Sequence, residues 1–329
     1  RAPHPHAAPF NHQRRGEESQ RDETFVTGWC EKRNIPLIIG QGDVAQEAKA
    51  RGKGVEETAR AMRYGFLTQA AQDLGADKLA TAHHADDNAE TVLLHLVRGA
   101  GLDGLTGIPP VRGILIRPLL AIPQSDIAAY LEQEGIPHVE DSSNFDLTYA
   151  RNRLRQEVVP VLQELNPAFI STLTANLDHL REDRDLLEGM AQRAIQEARV
   201  TEGRVSIPAS TLAALDHPIA VRAVKLLLAK VEYYQISSVH LDQILALAAS
   251  TSPSASHNLP GDLFVWREYD RLVMSPAANM PAAFSLRLIT GPGTFPLDNG
   301  WTIPVAETPR PDPPEQGEYA WPLAQGPGT

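Results

Sequence analysis

Over its first 140 residues the chain alternates short apolar runs with stretches of helical periodicity, and this alternation leaves few folds open. Ile35-Pro-Leu-Ile-Ile39, bounded by Gly40, reads as a buried strand. Lys78-Leu-Ala-Thr-Ala82, Ile114–Arg117 and His138–Glu140 read as further strands. Between them, Asp22–Arg33, Glu56–Leu74, Asp87–Val97 and Gln124–Glu134 have the periodicity of helices, with Gly75 and Gly99 placed as terminators. Strands separated by helices predict an α/β domain with a parallel, helix-covered sheet. Residues 1–20, polar and rich in Pro and His, read as irregular.

The pattern changes at Arg151. Arg151–Glu164 and Ala168–Ala198 read as helices, and residues 205–275 mix helices (218–230, 238–249) with short strands (Leu263–Trp266, Leu272–Met274), which predicts a second, α+β domain. The expected boundaries are 1–165, 166–280 and 281–329, the last a linker or incomplete domain holding two strand-like pieces, Phe284–Ile289 and Thr302–Val305, before a Pro-rich end. A length of 329 residues fits two domains and part of a third.

Composition excludes several classes. The single cysteine, Cys30, allows no internal disulfide and no Cys-pair metal site. No run approaches the roughly 18 apolar residues of a membrane helix, and no signal peptide is visible, so no membrane partner is expected and the cytoplasm is the default. A net charge of −11 argues against indiscriminate nucleic-acid binding, although a local basic groove stays open. The first residue is Arg rather than Met, which reads as a fragment or processed chain.

Four segments can carry chemistry. Ala82-His-His-Ala-Asp-Asp-Asn-Ala-Glu-Thr91 follows a predicted strand and opens a helix, the edge where α/β enzymes place ligands. Asp87 and Glu90 share a helix face and can hold Mg²⁺ against phosphate, bind an amine or take a proton; the alternative is a capping box. A metal site made by the adjacent His83 and His84 is disfavoured, since neighbouring strand residues point to opposite faces. Arg98-Gly-Ala-Gly-Leu-Asp-Gly-Leu-Thr-Gly-Ile108 is either an anion-cradling loop or a cap with a flexible turn. Arg60 and Arg63 lie one helical turn apart, as phosphate contacts or as partners of Glu56 and Glu57. Arg151-Asn-Arg-Leu-Arg155 is the strongest basic cluster, suited to RNA phosphates or to pairing with Glu157 and Glu164. Neither a phosphate loop ending in Lys-Ser/Thr nor a dinucleotide fingerprint is present.

In this order, these segments resemble the tRNA(Ile)-lysidine synthetase family. The resemblance rests on His12-Gln-Arg-Arg-Gly-Glu-Glu-Ser19 with Arg21-Asp22, Glu57-Thr-Ala-Arg60 with Arg63-Tyr64, His83–Thr91, Arg98–Ile108 and Arg117-Pro-Leu-Leu120. It continues through Asp141-Ser-Ser-Asn144, Arg151–Arg155, Asn166-Pro167, Leu259-Pro-Gly261 and Arg267-Glu-Tyr-Asp-Arg-Leu272, covering residues 12–275. It implies an adenine-nucleotide α-hydrolase-like (PP-loop ATPase) sheet domain followed by a helical and α+β tRNA-binding domain. It also implies a ligase that uses ATP to adenylate the C2 oxygen of the wobble cytidine and then joins lysine to C2.

The implied partners are tRNA(Ile) with a CAU anticodon and L-lysine, with a homodimer allowed; the implied cofactors are ATP and Mg²⁺. By the same resemblance Asp87, Glu90 and His83 serve catalysis, Asp87 and Glu90 hold the metal, Arg63 and Arg98 meet ATP or phosphate, and Arg117, Arg151, Arg153 and Arg155 meet tRNA. The family's phosphate loop, Ser-Gly-Gly-x-Asp-Ser, has no counterpart in this sequence, so the first domain is expected to be truncated and this stretch inactive by itself. Pro3, Pro5 and Pro9 are expected to suit a strand before His12 badly. The competing readings are a non-catalytic tRNA-binding remnant and a related ATP-dependent tRNA-modifying enzyme; for a cytidine thiolase, one cysteine is too few.

Overall fold

The computed structural model describes residues 4–12, 17–139, 148, 150–201, 203–234, 236–252, 255–276, 291–296 and 302–305. The chain divides into two compact units, residues 1–190 and 191–329.

The first unit opens with β1 (Phe10–Asn11), α1 (Glu17–Lys32) and β2 (Gly40–Gln41), and the two strands pair in parallel. The pairing begins upstream, at an Ala7–Leu37 bridge, so the residues expected to be irregular run beside the apolar 35–39 segment. Pro9 does not prevent this. Its carbonyl accepts from the Gly40 N–H at 3.0 Å, while Ala7 donates to the Pro36 carbonyl and accepts from the Ile38 N–H. Proline lacks only the donor, so the ladder loses that one bond and continues at Asn11, whose carbonyl accepts from the Gly42 N–H. Gly40 is obligatory here: a Cβ would lie 2.7 Å from the Phe66 ring and 2.8 Å from Phe10.

Next come α2 (Val44–Arg51), capped by Asp43 and ended by Gly52, and α3 (Val55–Asp73), which supplies Phe66. β3 (Leu79–Ala80), α4 (Ala85–Val97), the short α5 (Leu102–Leu105), β4 (Val111–Arg112), β5 (Leu115–Ile116) and α6 (Gln124–Gln133) follow. β3 pairs with β5 in parallel across α4, and β4 joins β5 antiparallel, giving the order β3-β5-β4. The expected parallel, helix-covered α/β arrangement is thus present in both crossover pairs. The expected strand at His138–Glu140 is not: residues 138 and 139 are non-strand, and Glu140 lies outside the described residues.

The helix expected over Arg151–Glu164 is broken into α7 (Ala150–Arg153), a π-helical turn (Leu154–Val158) and α8 (Val159–Leu165). Pro160, in the first turn of α8, cannot donate an i−4 bond, and the Val159 N–H reaches back to Leu154 instead. α9 (Phe169–Ala194) then packs its first turn on α4: Ala85, Ala89, Val159 and Ile170 form one buried cluster, flanked by Leu93, Phe169 and Leu173. That contact accompanies the inclusion of α9 up to Met190 in the first unit.

The second unit holds β6 (Arg199–Thr201), β7 (Arg204–Pro208), α10 (Ala209–Ala213), α11 (His217–Ala229), α12 (Ser238–Ala249), β8 (Ser256–Leu259), β9 (Leu263–Glu268) and β10 (Arg271–Pro276). The five strands are antiparallel in the order β6-β7-β10-β9-β8. Alternation explains the core: Val205 and Ile207 on β7 and Leu263 and Val265 on β9 are buried with Leu227, Leu228 and Ile244 of the helices. β11 (Gly293–Pro296) and β12 (Thr302–Val305) form a hairpin, and the strand expected at Phe284–Ile289 lies outside the described residues.

Candidate functional site

The polar stretch after β3 becomes the first turn of α4, and its capping box falls elsewhere than the Asp-x-x-Glu spacing suggests. His84 is the N-cap: its Nδ1 accepts from the Asp87 N–H at 3.4 Å, and the Asp87 carboxylate accepts from the His84 N–H at 3.1 Å. Glu90 is therefore left out of the cap. It points inward, 1% exposed, and meets two arginines from the other side of the unit.

Arg151 places Nε 2.7 Å from Glu90 Oε2, and Arg155 places Nε 2.5 Å from Oε1 and a terminal nitrogen 3.1 Å from Oε2. Both guanidiniums also approach Asp87 Oδ1, at 3.1 and 3.4 Å, and Arg151 donates to the Asp87 carbonyl. Burial, which alone would lower the Arg155 pKa, is outweighed by Glu90, and the pKa is raised. Asp87 Oδ2 lies 3.4 Å from His84 Nε2.

This geometry corrects two expectations. The first is Mg²⁺ at Asp87 and Glu90. A hard dication needs near-octahedral oxygen ligands at about 2.0–2.1 Å, but every oxygen of this pair already faces a guanidinium or the imidazole. The residues do not fit the ion. Among the described residues, no group of three or more His, Cys, Asp or Glu side chains is arranged to hold a metal. The second is that Arg151, Arg153 and Arg155 together form a basic cluster for RNA phosphates or pair with Glu157 and Glu164. Arg151 and Arg155 turn inward to α4, and only Arg153, 63% exposed, pairs with Glu157.

Further basic side chains stand on α3. Arg63 and Arg60 on α3 flank the Tyr64 ring, with guanidinium carbons 5.8 and 5.1 Å from its centroid. Neither arginine has an ion-pair partner among the described residues, and the buried Tyr64 hydroxyl has no hydrogen-bond partner there. Burial first, and then the charges of Arg60 and Arg151, hold the Arg63 pKa below its usual value. His83, bonded to the Thr81 hydroxyl at 3.0 Å, feels the same field. Burial, followed by Arg117, Arg151 and Arg60, brings its pKa down to about 4 against the opposing pull of Asp87. His83 is thus neutral at physiological pH, and the arginine charges around it favour an anion.

The structure does not bring Arg98 here, and it buries Arg117, whose charge acts on His83. Arg98 is the exposed C-cap of α4, about 16 Å along the helix from Asp87 at 1.5 Å per residue. Arg117, expected on tRNA, is 5% exposed and donates to the Pro109 carbonyl. The glycine-spaced loop is not an open cradle either. Asn88 Oδ1 takes the Ile108 N–H at 2.7 Å, and Arg181 from α9 donates to the Thr106 and Ile108 carbonyls, both at 3.1 Å. Gly107, at φ 69°, sits so close that a Cβ would be 2.3 Å from Asn88 Oδ1. Asn88 and Arg181 were missed in the sequence, where one is a polar residue inside a helix and the other one charge among many on α9.

A parallel α/β unit with a cluster of charged groups at the turn from β3 into α4 matches the profile of a PP-loop domain over residues 3–162, which sets the class. A TilS substrate binding domain matches residues 208–273, within the antiparallel second unit. The chain is 36% identical over 313 residues to a tRNA(Ile)-lysidine synthase of Geobacter sulfurreducens, covering 93% of this chain and 66% of that protein. It is 33% identical over 305 residues to the one of Geobacillus kaustophilus (90% and 66%), and 34% identical over 273 residues to a bifunctional TilS/HprT protein of Listeria monocytogenes (80% and 42%). The chain belongs to the tRNA(Ile)-lysidine synthase family. It spans two thirds or less of the length of these relatives. Among the described residues no helix is long and apolar enough to cross a membrane.

Proposed function

We propose that the protein containing this chain joins L-lysine to C2 of the wobble cytidine of tRNA(Ile) with a CAU anticodon, at the expense of ATP. The observation that carries this reading is the succession, in one chain, of a PP-loop domain and a TilS substrate binding domain. The chemistry has two steps. The cytidine C2 oxygen attacks the α-phosphorus of ATP and pyrophosphate departs. The lysine ε-amine then attacks C2, the C2–O bond breaks, AMP leaves with the electron pair and the nitrogen loses a proton. Adenylation is needed because an unmodified pyrimidine oxygen is a poor leaving group.

In this reading the Arg60, Arg63 and Arg151 charges offset phosphate charge as it develops. Neutral His83 adds a polar wall that does not repel a cationic amine. Asp87, 15% exposed against 1% for Glu90, is the carboxylate assigned to the lysine ammonium, which would take the place of one of its present cationic neighbours. Mg²⁺, where used, would travel with the nucleotide phosphates rather than sit on Asp87 and Glu90. A second copy of the chain and a cytoplasmic setting belong to the same proposal; sedimentation of the protein tests the former.

The test is incubation of the protein expressed from its complete reading frame with ATP, Mg²⁺, labelled lysine and unmodified tRNA(Ile). Label should enter this tRNA and no tRNA with another wobble base. Tight tRNA binding without label transfer would favour the non-catalytic reading.

A further inference from the structure

Two buried donors in the first unit, Arg117 Nε and Asn88 Nδ2, have no acceptor among the described residues. Arg117 is 5% exposed and Asn88 1%. The Asn88 amide cannot be turned round to mend this, because its Oδ1 already takes the Ile108 N–H at 2.7 Å. Arg117 donates through one terminal nitrogen to the Pro109 carbonyl, and no carboxylate pairs with it among the described residues. The two side chains are thus anchored on adjoining backbone groups, at Ile108 and Pro109. A buried guanidinium without a counter-charge is costly. A water molecule would supply an acceptor but no charge, so the chemistry asks for an anion.

The strand register sets these donors beside the start of α4. Arg117 follows β5, whose parallel pairing with β3 matches Ile116 to Ala80, and the Thr81 N–H continues that ladder on the Ile116 carbonyl at 3.0 Å. Arg117 therefore stands at the carboxyl edge of the pair, next to Thr81, whose hydroxyl bonds His83. Beyond Arg117 the chain is laced to α4. The Ala85 N–H donates to the Ile122 carbonyl at 3.0 Å, and the Gln124 N–H donates to Asp86 Oδ2 at 2.7 Å. This edge, where α/β folds bind ligands, reaches solvent: Ala82 is exposed, and Thr81 and His83 are half-buried. Neutral His83 feels one charge of each sign, from Asp87 and from Arg117.

We infer that Arg117, with Asn88 Nδ2 as second donor, binds the α-carboxylate of the amino-acid substrate. The inference rests on the function proposed above and names the group that reads lysine as an amino acid rather than as an amine. A phosphate is the poorer occupant, because Asp86 and Asp87 on the same turn repel its double charge. A zwitterion offers each sign its opposite, and a carboxylate on a guanidinium makes charge-assisted hydrogen bonds. Arg117 is a specificity residue here and takes no part in bond making.

The probes are L-lysine and cadaverine, which is lysine without its carboxylate, titrated by calorimetry into the full-length protein. Wild type should prefer lysine by on the order of tenfold or more. Arg117→Met removes the donors and keeps most of the side-chain length, so it should bind lysine no better than cadaverine. Arg117→Lys keeps the charge without the fork and should retain only part of the preference; it decides the matter if circular dichroism shows Arg117→Met unfolded. A full preference for lysine in these variants would overturn the inference and leave the two donors to ordered water. So would weakened ATP binding with the preference intact, which would make Arg117 a phosphate contact. A wild type that binds neither probe would sink the proposed function and this inference together, whereas one that binds both alike would sink this inference alone.

Discussion

Glu90 and Arg155 are 65 residues apart in the chain, yet Arg155 Nε lies 2.5 Å from Glu90 Oε1. With Arg151 on the other oxygen, the contact ties the first turns of α4 to the helical segment carrying the π turn. Both ends of the pair are drawn from separately packed helices, so the clamp reports on how the first unit is assembled.

Glu90→Ala should therefore cost more than a surface charge would. It leaves two guanidiniums, each less than a third exposed, without their main partner. Breaking a buried pair in this way costs about 3–5 kcal/mol. Denaturant unfolding of the variant, followed by circular dichroism, measures it; a loss under about 1 kcal/mol would mean the arginines find other partners or water.

Gly107→Ala meets two obstacles, a φ of 69° and a Cβ 2.3 Å from Asn88 Oδ1. We expect a loss of roughly 1–3 kcal/mol. Asn88→Ala should cost about 1–3 kcal/mol as well, by leaving the Ile108 N–H unpaired. Because the two residues touch, the double variant should lose less than the sum, and a thermal-melt cycle reads the coupling.

The pH dependence of stability should carry a signature of His83. Its folded pKa, about 4, is below the unfolded value of 6.5, so between these values the unfolded chain binds more protons. Its contribution is present above pH 6.5 and lost as pH falls toward 4. His84 has the opposite sign: its pKa is raised, because the bond to Asp86 and the charges of Asp87, Asp86 and Glu90 outweigh burial, and its contribution fades as pH rises through the folded value. His83→Asn should flatten the acid limb of melting temperature against pH, whereas His84→Asn should alter the limb above pH 6.5.

Tyr269 occupies a two-residue turn between β9 and β10 with φ 56°, where hairpins favour glycine, and its ring is 81% exposed. Tyr269→Gly should raise the melting temperature, corresponding to a gain of about 1 kcal/mol or less. A lowered melting temperature would show that the ring holds the turn.

Much of the scaffold was legible in the sequence for local reasons. α3, α4 and α6 follow from periodicity, with Gly75 and Gly99 taking positive φ after α3 and α4, whereas α2 was not read as a helix. The β3–β5 pair follows from apolar runs on either side of α4, whereas β1 falls in residues read as irregular and β2 lies just beyond the 35–39 run. What was not legible depends on chain segments meeting. Asp87 and Glu90 read as a metal pair because spacing shows a shared face but not what stands opposite. Arg151 and Arg155 read as a solvent-facing patch for the same reason. Pro9 read as a strand breaker, yet a parallel ladder needs only its carbonyl there. The π turn could have been suspected from Pro160, whose missing donor falls inside an otherwise regular helical pattern.

The loop from Gly99 to Ile108 has the composition of a segment that moves. Its backbone is nonetheless held from three directions, by His95 at the Gly104 carbonyl, Asn88 at the Ile108 amide and Arg181 at two carbonyls. Exchange of the Ile108 amide with deuterated solvent should then be slow, timed by the opening of α4 and α9 rather than by the loop. Glycines that look like licence for motion here act as clearance, letting the backbone come near enough to be gripped.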